Sequence, residues 1–133
     1  MTRILTLILA CTFLAACGGG ANGSGFSYDG PVTNAGWTTS ALEYRGQNGV
    51  IVGYECAPNP DRVVVGTVWG TGTYSDDSSV CAAGVHAGAI TFAEGGVVVF
   101  EALAGQESYT GSNQNGVESA NWPSWEGSFS ILQ

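Results

Sequence analysis

The sequence predicts an α+β domain built around one short, buried helix that β-strands cover. The first observation is segment 80–87, where His86 is the only polar side chain. A helix that is apolar on every side has no face for water, so other elements must cover it. The second observation is composition, since 21 glycines and 11% charged residues are typical of a turn-rich β-protein rather than a disordered chain. The length of 133 residues fits one domain.

The first residues are typical of an export signal followed by a lipid-attachment site. Arg3 supplies a positive charge, and segment 4–14 is apolar apart from two threonines. Such a run is too short to span a bilayer, but it suits a signal peptide. The LAAC sequence that ends at Cys17 resembles a bacterial lipobox; ordinary signal cleavage without lipid is the alternative. We therefore expect a lipoprotein signal peptide (1–16), a lipid such as palmitate on Cys17, a Gly-rich tether (17–27) and the folded domain (28–133).

The net charge and the residue after Cys17 indicate which partners are disfavoured and where in the cell the protein resides. Cleavage before Cys17 leaves two arginines, no lysine and eleven acidic residues, so the formal side-chain charge is −9. This charge disfavours nucleic acid as a partner and argues against charge-driven binding to anionic lipid. Gly18 follows the lipidated position, as in outer-membrane sorting of Gram-negative lipoproteins. We expect a lipid-anchored protein of the bacterial cell envelope, at the outer membrane.

Three strands are predicted before the helix. Segment 41–46 is predicted to be a strand that enters a turn at 47–49, where Asn and Gly tolerate positive φ. Segment 50–56 is the returning strand, and two prolines in 57–61 then prevent the ladder from continuing. Segment 63–69 is apolar on both faces and rich in β-branched residues, which predicts a central strand.

The helix itself is expected to be about ten residues long and to carry recognisable end signals. Asp76, Asp77 and Ser78 are candidate N-cap residues, because such side chains accept hydrogen bonds from free helix N–H groups. The two aspartates are a Ca²⁺ alternative, but their spacing is not that of an EF-hand loop. Gly88 suits the position after the helix. Gly84 costs about 1 kcal/mol relative to Ala inside a helix, which indicates close approach of a strand.

After the helix, the pattern returns to strands. Segments 89–92 and 97–103 are predicted strands on either side of a Gly-rich turn. Segment 109–119 is a polar loop with Asn-Gly at its centre. Segment 125–131 alternates between large or apolar and small or polar residues, which predicts a half-buried closing strand.

The cysteines predict one disulfide. Cys11 leaves with the signal peptide and Cys17 carries the lipid, so Cys56 and Cys81 remain. Export implies an oxidising compartment, where such a pair is expected to be bonded. Two separate buried thiols are the alternative.

Catalytic constellations are not supported. A catalytic triad would need His86 beside a nucleophile, and the sequence has no G-x-S-x-G elbow. We expect His86 to be a core residue bonded to backbone, and five helical positions separate it from Cys81. One histidine and one cysteine pair cannot build a zinc site, and no phosphate-binding loop is present. We therefore expect no metal, no cofactor and no enzymatic activity, and a hydrolase is the least supported class.

Seven short motifs, in order, resemble the LCCL domain family over residues 37–131. They are YRG (44–46), CAP (56–58), the run 68–88, GGVVV (95–99), YTGS (109–112), NGVES (115–119) and GSF (127–129). The resemblance implies a central helix wrapped by two β-sheets, no catalytic activity, and binding to lipopolysaccharide or another polysaccharide. Many members carry a second cysteine pair, which this domain lacks. Its acidity also disfavours phosphate-rich ligands, which require clusters of Arg and Lys.

The leading functional hypothesis is a non-enzymatic envelope module that binds glycan or glycolipid through neutral polar and aromatic contacts. The candidate ligand-binding residues are Tyr109, Asn113, Asn115 and Trp122, because amides hydrogen-bond to sugars and aromatic faces stack on them. A packed tryptophan is the alternative for Trp122. The second hypothesis is a structural envelope-assembly subunit that binds another protein, which would present a contiguous exposed apolar patch.

Overall fold

The computed structural model describes residues 26–133, so the predicted signal peptide, Cys17 and most of the tether lie outside the described residues. The elements, in chain order, are β1 (Val32–Ala35), a 3₁₀ helix (Leu42–Tyr44), β2 (Ile51–Cys56), β3 (Gly70–Thr71), β4 (Thr73–Ser75), α1 (Val80–His86), β5 (Gly96–Gln106), β6 (Asn113–Gln114), β7 (Val117–Glu118) and β8 (Trp125–Leu132). None of the helices in this range combines the length and the apolar character needed to cross a bilayer.

Two sheets accompany the single α-helix of the described chain. The larger sheet has the strand order β1-β2-β5-β8-β4-β3, and β6 pairs with β7 in a separate hairpin. β1 runs parallel to β2, whereas every other pair is antiparallel. The predicted α+β class is confirmed. The predicted strands at 50–56, 97–103 and 125–131 correspond to β2, β5 and β8.

The helix α1 is buried along its whole length and lies against β2, β5 and β7. A Cβ atom added at Gly84 would lie 2.5 Å from Cγ2 of Val98 on β5, which confirms the predicted close approach of a strand. The predicted disulfide joins Cys56 to Cys81 and thereby ties β2 to α1. Gly88 follows the helix with a φ of 86°, the left-handed conformation expected at that position.

A row of aromatic rings fills the space between the sheet and the helix. Phe100 on β5 is central: its ring centroid lies 5.3 Å from that of Tyr54 and 5.4 Å from that of Phe129. Tyr74 continues the row at 5.6 Å from Phe129 and at 5.6 Å from the His86 ring. These edge and tilted contacts are the arrangements that aromatic pairs prefer. The row makes the core of this small domain continuous from β2 to the end of the helix.

The N-terminus of α1 differs from the prediction. Ser79 caps it by accepting a hydrogen bond from the Ala82 N–H at 3.2 Å, and the helix spans seven residues rather than about ten. The prediction of Asp76, Asp77 and Ser78 as cap residues was wrong, because Ser79 lies directly before the first helical residue and the other three side chains bind elsewhere. The Ser78 hydroxyl accepts the backbone N–H of Trp69, Asp77 accepts a neighbouring serine hydroxyl, and Asp76 binds an arginine.

The predicted central strand at 63–69 was also wrong. Val63 and Val64 are 62% and 74% exposed, and Val64 has a φ of 48°. The side chain of Asn59 donates to the Val63 carbonyl at 3.0 Å and accepts from the Val63 N–H at 2.9 Å. These bonds occupy the backbone groups of Val63 that a strand ladder would need, so the segment begins as an exposed loop, and it returns to the core only at Val68.

Two further segments form turns instead of the predicted strands. Segment 41–46 contains a 3₁₀ helix, and its first residue, Ala41, is anchored by an N–H bond to the Asp76 carbonyl at 2.9 Å. Segment 89–92 is a turn in which Ile90 and Phe92 are buried, with only an isolated bridge at Thr91. In both places the apolar side chains reach the core from turns, so burial did not require a strand.

Candidate ligand-binding site

Three tryptophans from separate parts of the chain form one half-buried group, the tryptophan cluster. Trp122 is central: its ring centroid lies 5.3 Å from that of Trp69 and 6.1 Å from that of Trp125. Trp69 immediately precedes β3 and pairs with Ala120 in an isolated bridge, whereas Trp125 begins β8. The backbone pairing of the 120–122 segment therefore assembles the cluster.

The indole N–H of Trp122 has no acceptor. Within residues 26–133 it is the buried side-chain polar atom for which no hydrogen-bond partner exists. A buried donor without a partner costs about 1–3 kcal/mol. The ring is nevertheless partly exposed, so this unpaired donor lies at the margin of the surface rather than in the deep core.

A buried carboxylate holds one end of the tryptophan cluster. Arg45 binds Asp76 through two parallel bonds, Nε to Oδ2 at 2.8 Å and Nη2 to Oδ1 at 2.7 Å. The Trp125 indole N–H donates to the same Oδ1 at 2.8 Å, and the Arg45 guanidinium lies 5.2 Å from the Trp125 ring centroid. The hydrogen bond from Asp76 raises the pKa of Arg45, so the guanidinium stays charged. The orientation of Trp125 is thereby fixed from two directions.

A cleft of about 410 Å³ opens beside this arrangement. It is lined by Arg45, Ser124, Trp125 and Glu126. Glu126 is exposed, and its Oε2 lies 3.5 Å from Nη1 of Arg45. The cleft therefore offers an aromatic surface beside hydroxyl, carboxylate and guanidinium groups, a combination that suits hydrogen bonding to a polar, uncharged ligand.

Sequence reasoning missed Arg45 and Trp69 as members of this site. Their partners are remote: 31 residues separate Arg45 from Asp76, and Trp69 lies beside Trp122 because an isolated backbone bridge joins Trp69 to Ala120. One signal was available for Arg45. In a chain with so few cations, an acidic turn that becomes buried is expected to pair with one of the arginines. No sequence signal indicated that Trp69 joins Trp122.

The predicted ligand-binding residues of segment 109–119 divide into different roles. This segment forms the β6–β7 hairpin, and Asn115 and Gly116 at its turn have φ values of 50° and 78°, as the primed turns of hairpins require. Asn113 is exposed and lines a polar depression of about 330 Å³. The Asn115 side chain instead donates to the His86 carbonyl at 3.0 Å, which holds the hairpin against the end of α1. Of the two predicted asparagines, Asn113 is thus the one whose amide is available for a ligand.

The prediction of Tyr109 as a ligand contact was wrong, because its side chain is buried. The hydroxyl lies 2.6 Å from Ser128 Oγ and donates to the Gly127 carbonyl at 3.3 Å. It also accepts the N–H of Gln106 at 3.1 Å. Tyr109 therefore links the ends of β5 and β8 through its hydroxyl.

His86 lies in the core and not in a cleft. Nδ1 is 2.9 Å from the Tyr74 hydroxyl, and Nε2 is 3.2 Å from both the carbonyl and the hydroxyl oxygen of Ser112. The side chain is fully buried, in agreement with the prediction of a core histidine bonded to backbone. Cys81, five positions away, is oxidised. In residues 26–133, no group of three His, Cys, Asp or Glu side chains is arranged to hold a metal ion.

Comparison with known proteins gives one family. The model of the LCCL domain matches residues 33–129. Vitrin of Mus musculus is 42% identical over 66 residues, which cover 50% of this chain and 10% of vitrin. Cochlin of Cavia porcellus is 37% identical over 67 residues, covering 50% of this chain and 12% of cochlin. Clotting factor C of Tachypleus tridentatus is 34% identical over 91 residues, 68% of this chain and 9% of that protein. The matched part of the chain spans about a tenth of the length of these relatives.

Proposed function

The chain belongs to the LCCL domain family, and from this premise we propose that it is a non-enzymatic lipoprotein of the bacterial cell envelope whose domain binds a glycan or glycolipid. Membership of the family indicates a binding module. The observation that carries the glycan proposal is the tryptophan cluster, because a partly exposed aromatic surface is what the apolar face of a sugar ring stacks on.

The surroundings of the cluster support a neutral sugar over a phosphate group. Arg45 is already bound by Asp76, and Arg62 donates to the Gly116 carbonyl at 3.0 Å while its guanidinium lies 4.4 Å from the Phe92 ring centroid. With no lysine in the sequence, these are the cations of the described domain. Phosphate recognition requires several uncommitted cations. Hydrogen bonds to sugar hydroxyls are therefore the favoured polar contacts.

A non-enzymatic role is supported by the positions of the reactive side chains. The His86 ring is buried and hydrogen-bonded on both nitrogens, and the Cys81 sulfur is bonded to Cys56. A histidine base must reach its substrate within hydrogen-bond distance, and a nucleophilic cysteine must be a thiolate. Neither condition is met by these two residues.

A glycan array tests the binding proposal. The protein should bind neutral glycans to the same extent at low and high salt, with and without a chelator, because few cations take part. Trp122→Ala should weaken binding at least about tenfold, a change of about 1.4 kcal/mol, whereas Leu42→Ala, at an exposed apolar residue of the 3₁₀ helix, should leave it unchanged. Circular dichroism must first establish that both variants are folded.

Two outcomes contradict the glycan proposal. One is binding that is confined to phosphorylated glycans, independent of chelator and abolished by moderate salt. The other is a complete absence of glycan binding, which would favour the second candidate, a structural envelope-assembly subunit that binds another protein. An exposed apolar sheet face, described below, is the observation that favours this second candidate.

The anchor is tested separately. In the proposed lipoprotein, Cys17 is the mature N-terminus and carries the lipid, and Gly18 directs it to the outer membrane. Cys17→Ala should release the protein from the membrane fraction into the soluble fraction. A variant that stays in the membrane fraction to the same degree would show that Cys17 does not carry the anchor. The glycan proposal does not depend on this result, because the glycan array tests it separately.

A further inference from the structure

The larger sheet has two unlike faces. Its inner face packs on α1, as shown by the buried Tyr54 and Val98, which are directly paired on β2 and β5. Side chains alternate along a strand and directly paired residues share a face, so their neighbours point the other way. On this outer sheet face the register places six large apolar residues, namely Val32, Ile51, Val97, Val99, Leu103 and Leu132.

Much of this apolar surface is open to solvent. Val32, Ile51 and Val97, on three adjoining strands, are 45%, 45% and 43% exposed. The Tyr28 ring lies over Gly53 between them, since a Cβ at Gly53 would come within 2.6 Å of the ring. Single exposed apolar residues are ordinary on protein surfaces, whereas a contiguous group marks an interaction site. The outer sheet face is such a group.

The charges on the outer sheet face have one sign. Glu55 and Glu101 are its charged residues on β2 and β5, and each is directly paired with an exposed apolar residue. The two arginines of the described domain are committed elsewhere, Arg45 to Asp76 and Arg62 to the hairpin backbone. The face is therefore apolar with carboxylates beside the apolar residues and no nearby cation to balance them.

From this combination we infer that the outer sheet face binds a basic, amphipathic segment of a partner protein. Apolar side chains of the segment cover the exposed valines and isoleucine, while its Lys or Arg side chains pair with Glu55 and Glu101. A second copy of this chain is a poor occupant, because it would oppose carboxylates with carboxylates. An anionic lipid surface is disfavoured for the same reason. This site is separate from the tryptophan cluster and does not depend on glycan binding.

A pair of defined peptides tests the inference with the full-length protein. The first alternates lysine with valine, and the second alternates glutamate with valine. Fluorescence anisotropy should detect binding of the lysine peptide only, and the affinity should fall as salt is raised. Ile51→Lys and Val97→Lys should each weaken binding at least about tenfold. Replacing both Glu55 and Glu101 by Gln should weaken it several-fold and reduce its dependence on salt.

The matched control is Leu42→Lys. Leu42 is 46% exposed, like the two tested residues, but it lies on the 3₁₀ helix, whose Tyr44 packs on Phe100 of the inner face. This variant should bind the lysine peptide as the unchanged protein does. Thermal unfolding of each variant separates loss of binding from loss of folding. If either Ile51→Lys or Val97→Lys is unstable, the other still provides the test.

Several results would overturn the inference. They are equal binding of both peptides, no binding of the lysine peptide at millimolar concentration, and equal weakening by Leu42→Lys. Self-association in sedimentation that is abolished by Val97→Lys would assign the face to a second copy instead. Binding to phosphatidylcholine vesicles that is abolished by the same variant would assign it to lipid.

Discussion

Replacing Gly84 by alanine tests how closely α1 lies against β5. The added Cβ would lie 2.5 Å from Cγ2 and 3.2 Å from Cγ1 of Val98, and 3.4 Å from Cγ1 of Ile90. Ordinary van der Waals contact begins at 3.4 Å. The helix and the strand would therefore have to separate by nearly the difference between 3.4 Å and the 2.5 Å contact. Val98 is fully buried and branched at Cβ, so it has little freedom to move aside.

Two opposing effects set the size of the change. Alanine is favoured over glycine in a helix interior by about 1 kcal/mol. Overpacking of a close-packed core costs about 1–3 kcal/mol, and the short contact with a buried side chain places Gly84→Ala in the upper part of that range. The variant should therefore be less stable by about 1–2 kcal/mol, which lowers Tm by roughly 5–10 °C for a domain of this size.

Denaturant unfolding followed by tryptophan fluorescence measures this change. An unchanged m-value shows that the free energy of unfolding has changed and the surface exposed on unfolding has not. Gly36→Ala is the matched control, because its Cβ would meet only Thr39 Oγ1 at 3.6 Å. Adding Val98→Ala should relieve the clash, so the double variant should lose less than the sum of the single losses. A Gly84→Ala protein as stable as the Gly36→Ala control, or strictly additive losses, would refute the packing argument.

Three further predictions concern the core. Removing the Cys56–Cys81 disulfide should lower the free energy of unfolding by roughly 3.5 kcal/mol, which unfolding with and without reductant measures. Alkylation of the unreduced, denatured protein should label neither of these two cysteines. His86→Ala should cost roughly 3 kcal/mol, because it leaves a cavity and a buried tyrosine hydroxyl without its partner; a folded variant with unchanged Tm would contradict the core role. Burial, helped by a hydrogen bond to Glu43, raises the pKa of Tyr54 above its ordinary value of 10.0, so the stability that this shift contributes should be constant below pH 10.0 and fall as pH rises further. Unfolding titrations in alkaline buffers should show less of this fall in Tyr54→Phe.

The sequence by itself determined the buried helix, three strands and the disulfide. Segment 80–87 has no polar face, so its burial followed from hydrophobicity alone. The runs that became β2, β5 and β8 carry strand patterns over at least six residues, which few other structures accommodate. Gly84 indicated the close approach of β5 because a glycine inside a helix costs stability without a packing reason. These features depend on local chemistry, which a sequence displays directly.

Only the tertiary structure decided the loop at 63–69, the helix cap and the tryptophan cluster. The valine-rich run has the pattern of a strand, but the side chain of Asn59 binds both backbone groups of Val63, so the run begins as a loop. Five polar residues, 75–79, precede α1, and Ser79 caps it because it is the one that lies directly before the first helical residue. Trp69 and Trp122 meet because backbone pairing joins segments far apart in the chain. The tryptophan cluster and the Arg45–Asp76 pair join residues that are far apart in the chain, which a local pattern does not show. The bonds of Asn59 and Ser79 are local, but they compete with other arrangements that hydrophobic patterning does not rank.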